Sequence, residues 1–344
     1  MTVAGTPPTR LGRRGAIIAL GIIVSAGALW WALRGVAWGD IEARLDDLNP
    51  WILLGAIAVA TTTFPIRAWR WKYLLRTDAG QTLPWPARWH PVAIGFMANN
   101  VLPARLGEVV RCYTVSRLAP VKFTASLTSV AVERVFDALT LAALFAIALL
   151  GPGVPRGLAI AGKVRFVGLA GVAALIVLTA AAFRPELAER SFRALLPRGR
   201  ITDRLAALFR GLLDGLTALH DPRRLLPVIG GSVLLWVVNA WSFALAFAAF
   251  GLPGDIWTAL IVQTFVVFAV AAPSTPGYVG VLESAVILGL ALYGVPKDAA
   301  FAAAAAYHVT TFIPIIILGA WSLARTGLSL GELRAASAAP AATS

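Results

Sequence analysis

The sequence predicts an all-α polytopic membrane protein of about six to eight transmembrane helices, with one or two re-entrant broken hairpins and an inverted repeat. Composition is the first observation behind this. Hydrophobic residues make up 58% of the chain, charged residues 14%, and the mean hydropathy is +0.77, well outside the range of soluble domains. The second is that apolar runs of near-spanning length recur along the 344 residues, which leaves little chain for a soluble catalytic domain. The third is a pair of polar interruptions, N-N-V-L-P-A-R-L-G-E-V-V-R at Asn99–Arg111 and A-A-P-S-T-P-G-Y-V-G-V-L-E at Ala271–Glu283. Each contains a Pro followed four residues on by Gly (Pro103 and Gly107, Pro276 and Gly280). In lipid, irregular backbone persists only where protein or a watery cavity satisfies its polar groups, so paired breaks mark an expected site.

The net charge is +13, from 30 Lys and Arg against 17 Asp and Glu. The basic residues cluster beside apolar runs, which fits the positive-inside pattern and attraction to anionic lipid, not a nucleic-acid surface. A single cysteine, Cys112, excludes an internal disulfide and any Cys-rich metal site.

In chain order, Arg10, Arg13 and Arg14 precede the run Ala16–Leu33, 18 residues and about long enough to span. Trp30 and Trp31 occupy the boundary where a signal peptide would need small residues, so a retained first helix with a cytoplasmic N-terminus is expected. Residues 34–49 carry two arginines against four acids, with Ile41, Leu45 and Leu48 at helical spacing, and predict a surface helix on the outer side. Pro50–Ile66 returns to R-A-W-R-W-K-Y-L-L-R, where Arg67, Arg70, Lys72 and Arg76 alternate with Trp69, Trp71 and Tyr73 and are expected to anchor at the cytoplasmic interface.

Pro91–Arg117 reads as a re-entrant hairpin, because its apolar half is too short to cross. Val121–Leu150 is a long spanning helix carrying V-E-R-V-F-D, in which Glu133 and Asp137 share one face and should point into the bundle. After a Gly/Pro loop, Phe166–Phe183 crosses back. Residues 184–224, with nine arginines against five acids and a leucine-rich face, predict an amphipathic helix on the cytoplasmic surface that links the halves. Pro227–Phe250 spans outward, Asp255–Ala272 and Val279–Tyr293 flank the second break, and Phe301–Leu323 returns. The tail from about Ala335 is expected to be disordered.

The halves share a spacing. Ala68 to Pro103 is 35 residues and Ala240 to Pro276 is 36; Gly107 to Glu133 is 26 and Gly280 to His308 is 28. Opposite directions for Pro50–Ile66 and Pro227–Phe250 make such a repeat inverted, as in many transporters. The second hairpin would then enter from the outer side, although two fully spanning arms fit the lengths as well.

Thr275-Pro276 reads as an N-cap followed by Pro at the first helical position, with Leu102-Pro103 a weaker version. Half-helix N-termini at both breaks would favour an anion, and Gly107, Gly277 and Gly280 would allow a ligand or another backbone close. Arg105, Arg111 and Arg134 are the candidate phosphate ligands, since a guanidinium clasps phosphate through two donors. Glu108, Glu133, Asp137 and Glu283 would orient them or carry protons, and a closed salt-bridge network is the structural alternative. Tyr278 and His308 complete the candidates, as headgroup donors or packed side chains. No catalytic constellation emerges: His90, His220 and His308 lie far apart, and metal-binding and nucleophile motifs are absent from the sequence. No cofactor or metal is expected.

Together the quoted motifs, with P-S-T-P-G-Y-V-G-V-L-E and A-Y-H-V-T-T, resemble the transmembrane region of lysylphosphatidylglycerol synthase/flippase proteins over about residues 10–325. The resemblance implies a stand-alone, flippase-like protein of the plasma membrane, with both termini cytoplasmic and without the family's aminoacyl-transferase domain. The implied substrate is an anionic phospholipid or a polyprenyl-phosphate-linked lipid. The implied site residues are Arg105, Glu108, Arg111, Glu133, Arg134, Tyr278, Glu283 and His308. A membrane-embedded lipid-modifying enzyme, or a partner subunit of a lipid or glycan transferase, is the alternative; homo-oligomerisation or a separate transferase would supply the partner.

Overall fold

A computed structural model describes residues 10–36, 38–102, 106–151, 221–271 and 274–338, and the single positions 166, 173 and 190. Every extended element among them is helical: α1 (Arg10–Leu33), α2 (Trp38–Asp46), α3 (Pro50–Leu74), α4 (Trp85–Val101), α5 (Gly107–Leu118), α6 (Phe123–Leu150), α7 (Pro222–Ala249), α8 (Ile256–Ala271), α9 (Val281–Ala291), α10 (Lys297–Thr326) and α11 (Leu330–Ala338). The chain is a polytopic helical membrane protein. By length and composition α3, α7 and α10 can each cross a membrane. At 28 residues α6 also has the length, but it carries Glu133, Arg134 and Asp137 in its middle.

Local chemistry sets the boundaries. Asn49 caps α3 by accepting from Trp51 and Ile52 N–H, and its own N–H donates to the Ala249 carbonyl, which ties the start of α3 to the end of α7. Asp255 caps α8 through the N–H groups of Trp257 and Thr258. Asp221 caps α7, whose first residues are the last of the stretch expected as a surface helix. The remainder of that expected helix apart from position 190, and Phe166–Phe183 apart from positions 166 and 173, lie outside the described residues. So do Pro103 and Arg105.

The bundle is organised by two opposed hairpins. From the Leu74 end, α4 and α5 enter with Gly95 and Gly107 at their crossing; a Cβ on Gly95 would stand 2.8 Å from the Gly107 carbonyl oxygen. From the Asn49 end, α8 and α9 enter with 16 and 11 residues, joined through the 3₁₀ turn at Pro276–Tyr278. The tips meet. A Cβ on Gly277 would lie 3.8 Å from the Asn100 carbonyl oxygen and 3.2 Å from the Phe312 ring of α10.

Packing in the two halves runs in parallel. α3 lies on α4 as α7 does on α8, α5 on α6 as α9 on α10, α4 on α10 as α8 on α6, and the pairing of α3 with α7 is the most extensive of all. The apolar core concentrates around α7, α8, α9 and the alanine run of α10, where small side chains let helices approach closely.

Three expectations need adjusting. The helix beginning at Pro50 does not end at Ile66 but continues to Leu74, so Arg67 and Arg70 are carried inside the bundle and are buried, not interface anchors. Thr275 is the N-cap and Pro276 the first helical residue, as expected, but of a short 3₁₀ turn and without a side-chain bond from Thr275. Pro276–Tyr278 form one 3₁₀ turn, Gly277, Tyr278 and Gly280 take positive φ, and α9 begins at Val281. Leu102 is the C-cap of α4, and the expected helix start at Leu102-Pro103 falls on residues 103–105, outside the described residues. In the tail, α11 remains helical through Ala338, because Leu333 is buried against Ile94, Ala98, Leu102 and Val110.

Candidate functional site

Four arginines and two carboxylates converge where α3, α5, α6 and α7 meet. On α6, Glu133 and Asp137 are one turn apart and both buried, with Arg134 between them in sequence. Arg111 of α5 reaches Glu133 through two hydrogen bonds, Nη1 to Oε1 at 3.0 Å and Nη2 to Oε2 at 2.8 Å. Arg70 of α3 donates to Asp137 Oδ1 and to Ser232 Oγ of α7, each at 2.6 Å, and stands 3.3 Å from Glu133. Trp236 of α7 also donates to Asp137, at 3.3 Å. Arg70 and Arg111 are thus fixed as structural partners of the carboxylates.

The other two arginines are held differently. Arg67 lies 3.5 Å from Asp137 and 3.8 Å from Glu133, and its buried Nη1 makes no hydrogen bond within the protein. Its guanidinium is stacked against aromatic faces, 4.9 Å from the Phe96 ring and 5.8 Å from Trp236. Arg134 contacts Glu133 at 3.0 Å and Asp137 and Glu108 at 3.5 Å, with its side chain 38% exposed and that of Glu108 40% exposed. The cluster therefore has a closed floor and an open rim. Its four guanidinium groups exceed the carboxylates Glu133, Asp137 and Glu108 by one positive charge. In a desolvated setting such an excess favours an anion.

The second break holds different chemistry. Glu283 accepts from the Gly280 N–H at 2.7 Å, and its other oxygen shares a 2.6 Å hydrogen bond with His308 Nδ1 of α10. The N-terminus of α9 is thus occupied by its own carboxylate, which offsets the dipole that would attract an external anion. Glu283 orients a histidine and no arginine. Gly280 packs on α1, where a Cβ would stand 2.6 Å from Ser25 O and Leu29 N, and the Thr275 N–H donates to Ser25 Oγ at 2.8 Å. Gly107 likewise faces Gly95 and Asn99, whose Oδ1 accepts its N–H at 2.8 Å. Both glycines serve helix packing. Tyr278 sits half-buried in the turn with φ 61.

Of the expected residues, Glu108, Arg111, Glu133, Arg134 and Asp137 come together in one cluster. Thr275, Gly277, Tyr278, Gly280, Glu283 and His308 gather at the other break. Arg67, Arg70, Ser232 and Trp236 were missed. Their signal was the three-residue spacing of Arg67 and Arg70, which puts them on one face of an unbroken helix.

Two opposed broken hairpins beside a buried arginine-carboxylate cluster define an integral membrane protein built around an interior polar site. More narrowly, the chain belongs to the family described as the lysylphosphatidylglycerol synthase TM region, which matches residues 18–319. It is 26% identical over 351 residues to Glycosyltransferase AglD of Haloferax volcanii, across 93% of this chain and 56% of that one. It is 22% identical over 343 residues to a UPF0104 membrane protein of Methanothermobacter thermautotrophicus, across 93% of this chain and 97% of that one. The chain therefore spans little more than half the length of AglD, and nearly all of the second relative.

Proposed function

We propose that the chain carries the anionic headgroup of a phospholipid or polyprenyl-phosphate-linked lipid between the leaflets of a membrane, leaving the tails in the bilayer. The observation that supports this is the pair Arg67 and Arg134. Arg67 Nη1 is buried without a hydrogen bond, 3.5 Å from Asp137, and Arg134 is open at the rim, so a phosphate oxygen would complete both while Arg70 and Arg111 hold the carboxylates. Arg105, in the sequence of the first break, is a further candidate phosphate ligand in this reading. The parallel packing of the two halves supports an inverted repeat. Arg10, Arg13 and Arg14 ahead of the first apolar run support a cytoplasmic N-terminus.

Purified protein in vesicles containing fluorescent lipids tests the proposal. Transfer of an anionic or polyprenyl-phosphate lipid is expected, with Arg67→Gln and Arg134→Gln each lowering it about tenfold or more. Monodisperse protein that moves none of these lipids overturns it.

A second reading, a membrane partner of a glycan transferase, is favoured by AglD, which is named a glycosyltransferase and extends well beyond the matched region. It predicts that Arg105→Ala and Glu108→Gln leave function intact while surface changes across residues 184–224 abolish it.

A further inference from the structure

We infer that Glu283 and His308 form a proton-binding site that couples movement of the second hairpin to a proton gradient across the membrane. The coupling rests on the reading of the chain as a transporter; the proton site itself does not.

The two breaks differ in what can change at them. Around the first, the cations held by Glu133 and Asp137 are guanidinium groups, which do not give up a proton in proteins. At the second, the partner of the carboxylate is an imidazole, the side chain that changes charge nearest neutral pH. Glu283 and His308 are both buried, and the 2.6 Å between Oε1 and Nδ1 calls for one hydrogen between them. With that hydrogen counted on Nδ1, the Nε2 lone pair can take another, and Nε2 makes no hydrogen bond among the described residues. A proton from water adds to Nε2 and later leaves it for water; no other bond forms or breaks. The pair is neutral with this proton and carries one negative charge without it.

Few other ionisable groups surround the pair. α9 carries Glu283 alone, and α8, packed along it, carries none. The arginines of α1 lie at its start, whereas Ser25, Ala28 and Leu29 make its contacts here. On α10, Tyr307 is bonded to Ser242 of α7 at 2.6 Å, Asp298 faces Arg44 of α2, Lys297 donates to the Trp31 and Arg34 carbonyls, and Arg325 stands in the last turn. Of the groups on α4, Arg88 donates to the Leu83 and Ala68 carbonyls and His90 lies against Trp321. α3 directs Arg67 and Arg70 at Glu133 and Asp137, with Lys72 and Tyr73 at its end. The turn itself contributes Tyr278, half-buried.

With its proton the pair can stay away from water; without it the uncompensated negative charge is costly there. Glu283 also accepts the Gly280 N–H, so a change at the pair falls on the start of α9 and on the positive-φ turn before it. The hairpin's other side is held by the Thr275 N–H on Ser25 and by the Ser284 hydroxyl on the Ala28 carbonyl at 2.9 Å, neither of which titrates. Proton loss therefore favours a hairpin parted from α10, where water reaches His308, and proton gain favours the closed tip.

The test uses the full chain in vesicles. Fluorescent phosphatidylglycerol is the probe, its share in each leaflet is read by dithionite quenching, and valinomycin with equal potassium holds the membrane potential at zero. With one proton moved per lipid, a one-unit pH step is worth a factor of about ten, so the leaflet ratio is expected to settle at about ten with wild type. It should settle at about one with His308→Asn, whose amide nitrogen takes the place of Nδ1 but binds no proton. Hydrogen exchange of residues 280–284 reads the proton site without any lipid movement. Protection corrected for intrinsic rates is expected to fall about tenfold between about pH 5 and 8 in wild type and to stay flat in His308→Asn, a split that a purely structural role would not give. Glu283→Gln keeps an acceptor for the Gly280 N–H and removes the charge. It is expected to flatten both responses and decides the matter if His308→Asn does not fold. Flat protection in wild type overturns the proton site, and a leaflet ratio that ignores the pH step while lipid moves overturns the coupling. Wild type that moves no lipid removes the transporter reading instead, and the exchange measurement still decides whether the pair binds a proton.

Discussion

Arg111 and Glu133 meet through two parallel hydrogen bonds of 3.0 and 2.8 Å, and the ring of Trp71 lies 3.9 Å from the Arg111 guanidinium. The relationship ties the returning arm of the first hairpin to the helix that follows it. Trp71 is itself anchored by donating to Ser129 at 3.0 Å. Since Glu133 also faces Arg67, Arg70 and Arg134, this one carboxylate holds four cations in place.

Removing one partner of a buried pair leaves the other charge uncompensated, so Arg111→Met or Glu133→Gln is expected to cost about 3–5 kcal/mol. The pair Arg111→Met with Glu133→Leu should cost less than the sum of the single changes, because neither charge is left stranded. Unfolding in detergent measures all three. Additive losses would show that the two residues act on stability independently.

Glycine contacts yield a sharper contrast. Gly95→Ala would place a methyl 2.8 Å from the Gly107 carbonyl oxygen and 3.0 Å from Arg111 Cβ, and backbone cannot swing aside. An overpacking loss of about 1–3 kcal/mol is expected. Gly55 of α3 has nothing within 4 Å of the same methyl, so Gly55→Ala should be neutral or gain about 0.5–1 kcal/mol from helix propensity. Thermal stability of the two variants side by side is the check.

The apolar helices and the breaks between them were legible because Pro, Gly and hydrophobic run length act locally. Burial of Arg67 and Arg70 was not, because a basic-aromatic sequence looks the same at an interface and in a bundle until the helix length is known. The extra eight residues of α3, from Arg67 to Leu74, decided it. The start of α9 was legible only in part. Thr275-Pro276 satisfies the local rules for a helix start and opens a 3₁₀ turn, but positive φ at Gly277, Tyr278 and Gly280 delays α9 to Val281, and Ser25 of α1, 250 residues away, accepts the Thr275 N–H. No short-range pattern reports that partner. Nor could spacing foresee that Glu283 would meet His308 instead of an arginine.

Contact between α1 and the second break gives a local prediction. Ser25→Ala leaves the Thr275 N–H without its acceptor, at about 1–3 kcal/mol if it stays buried. The loss should be confined to residues 274–284, where hydrogen exchange is expected to quicken while α4 and α5 stay protected. Uniform quickening across both hairpins would mean that Ser25 supports the bundle as a whole.

At the opposite break the last helix depends on pH. Glu332 accepts from the Ser329 N–H at 2.7 Å and from its hydroxyl at 2.9 Å, while Ser329 Oγ accepts the Glu332 N–H at 3.2 Å, a reciprocal cap on the first turn of α11. These bonds hold the Glu332 carboxyl below its ordinary value of 4.5, the Ser329 backbone N–H contributing most. A carboxyl depressed in the folded state stabilises it fully above that ordinary value. The contribution is lost as pH falls through the lower, folded value, because protonation removes the charged acceptor. Protection of residues 330–338 should therefore be flat above about pH 5 and decline below about pH 4, with Leu333 loosening from Leu102 beside the first break. Glu332→Gln should abolish the decline. Hydrogen exchange corrected for intrinsic rates reads this directly, and equal protection on both sides of that range would sink the coupling between the cap and the break.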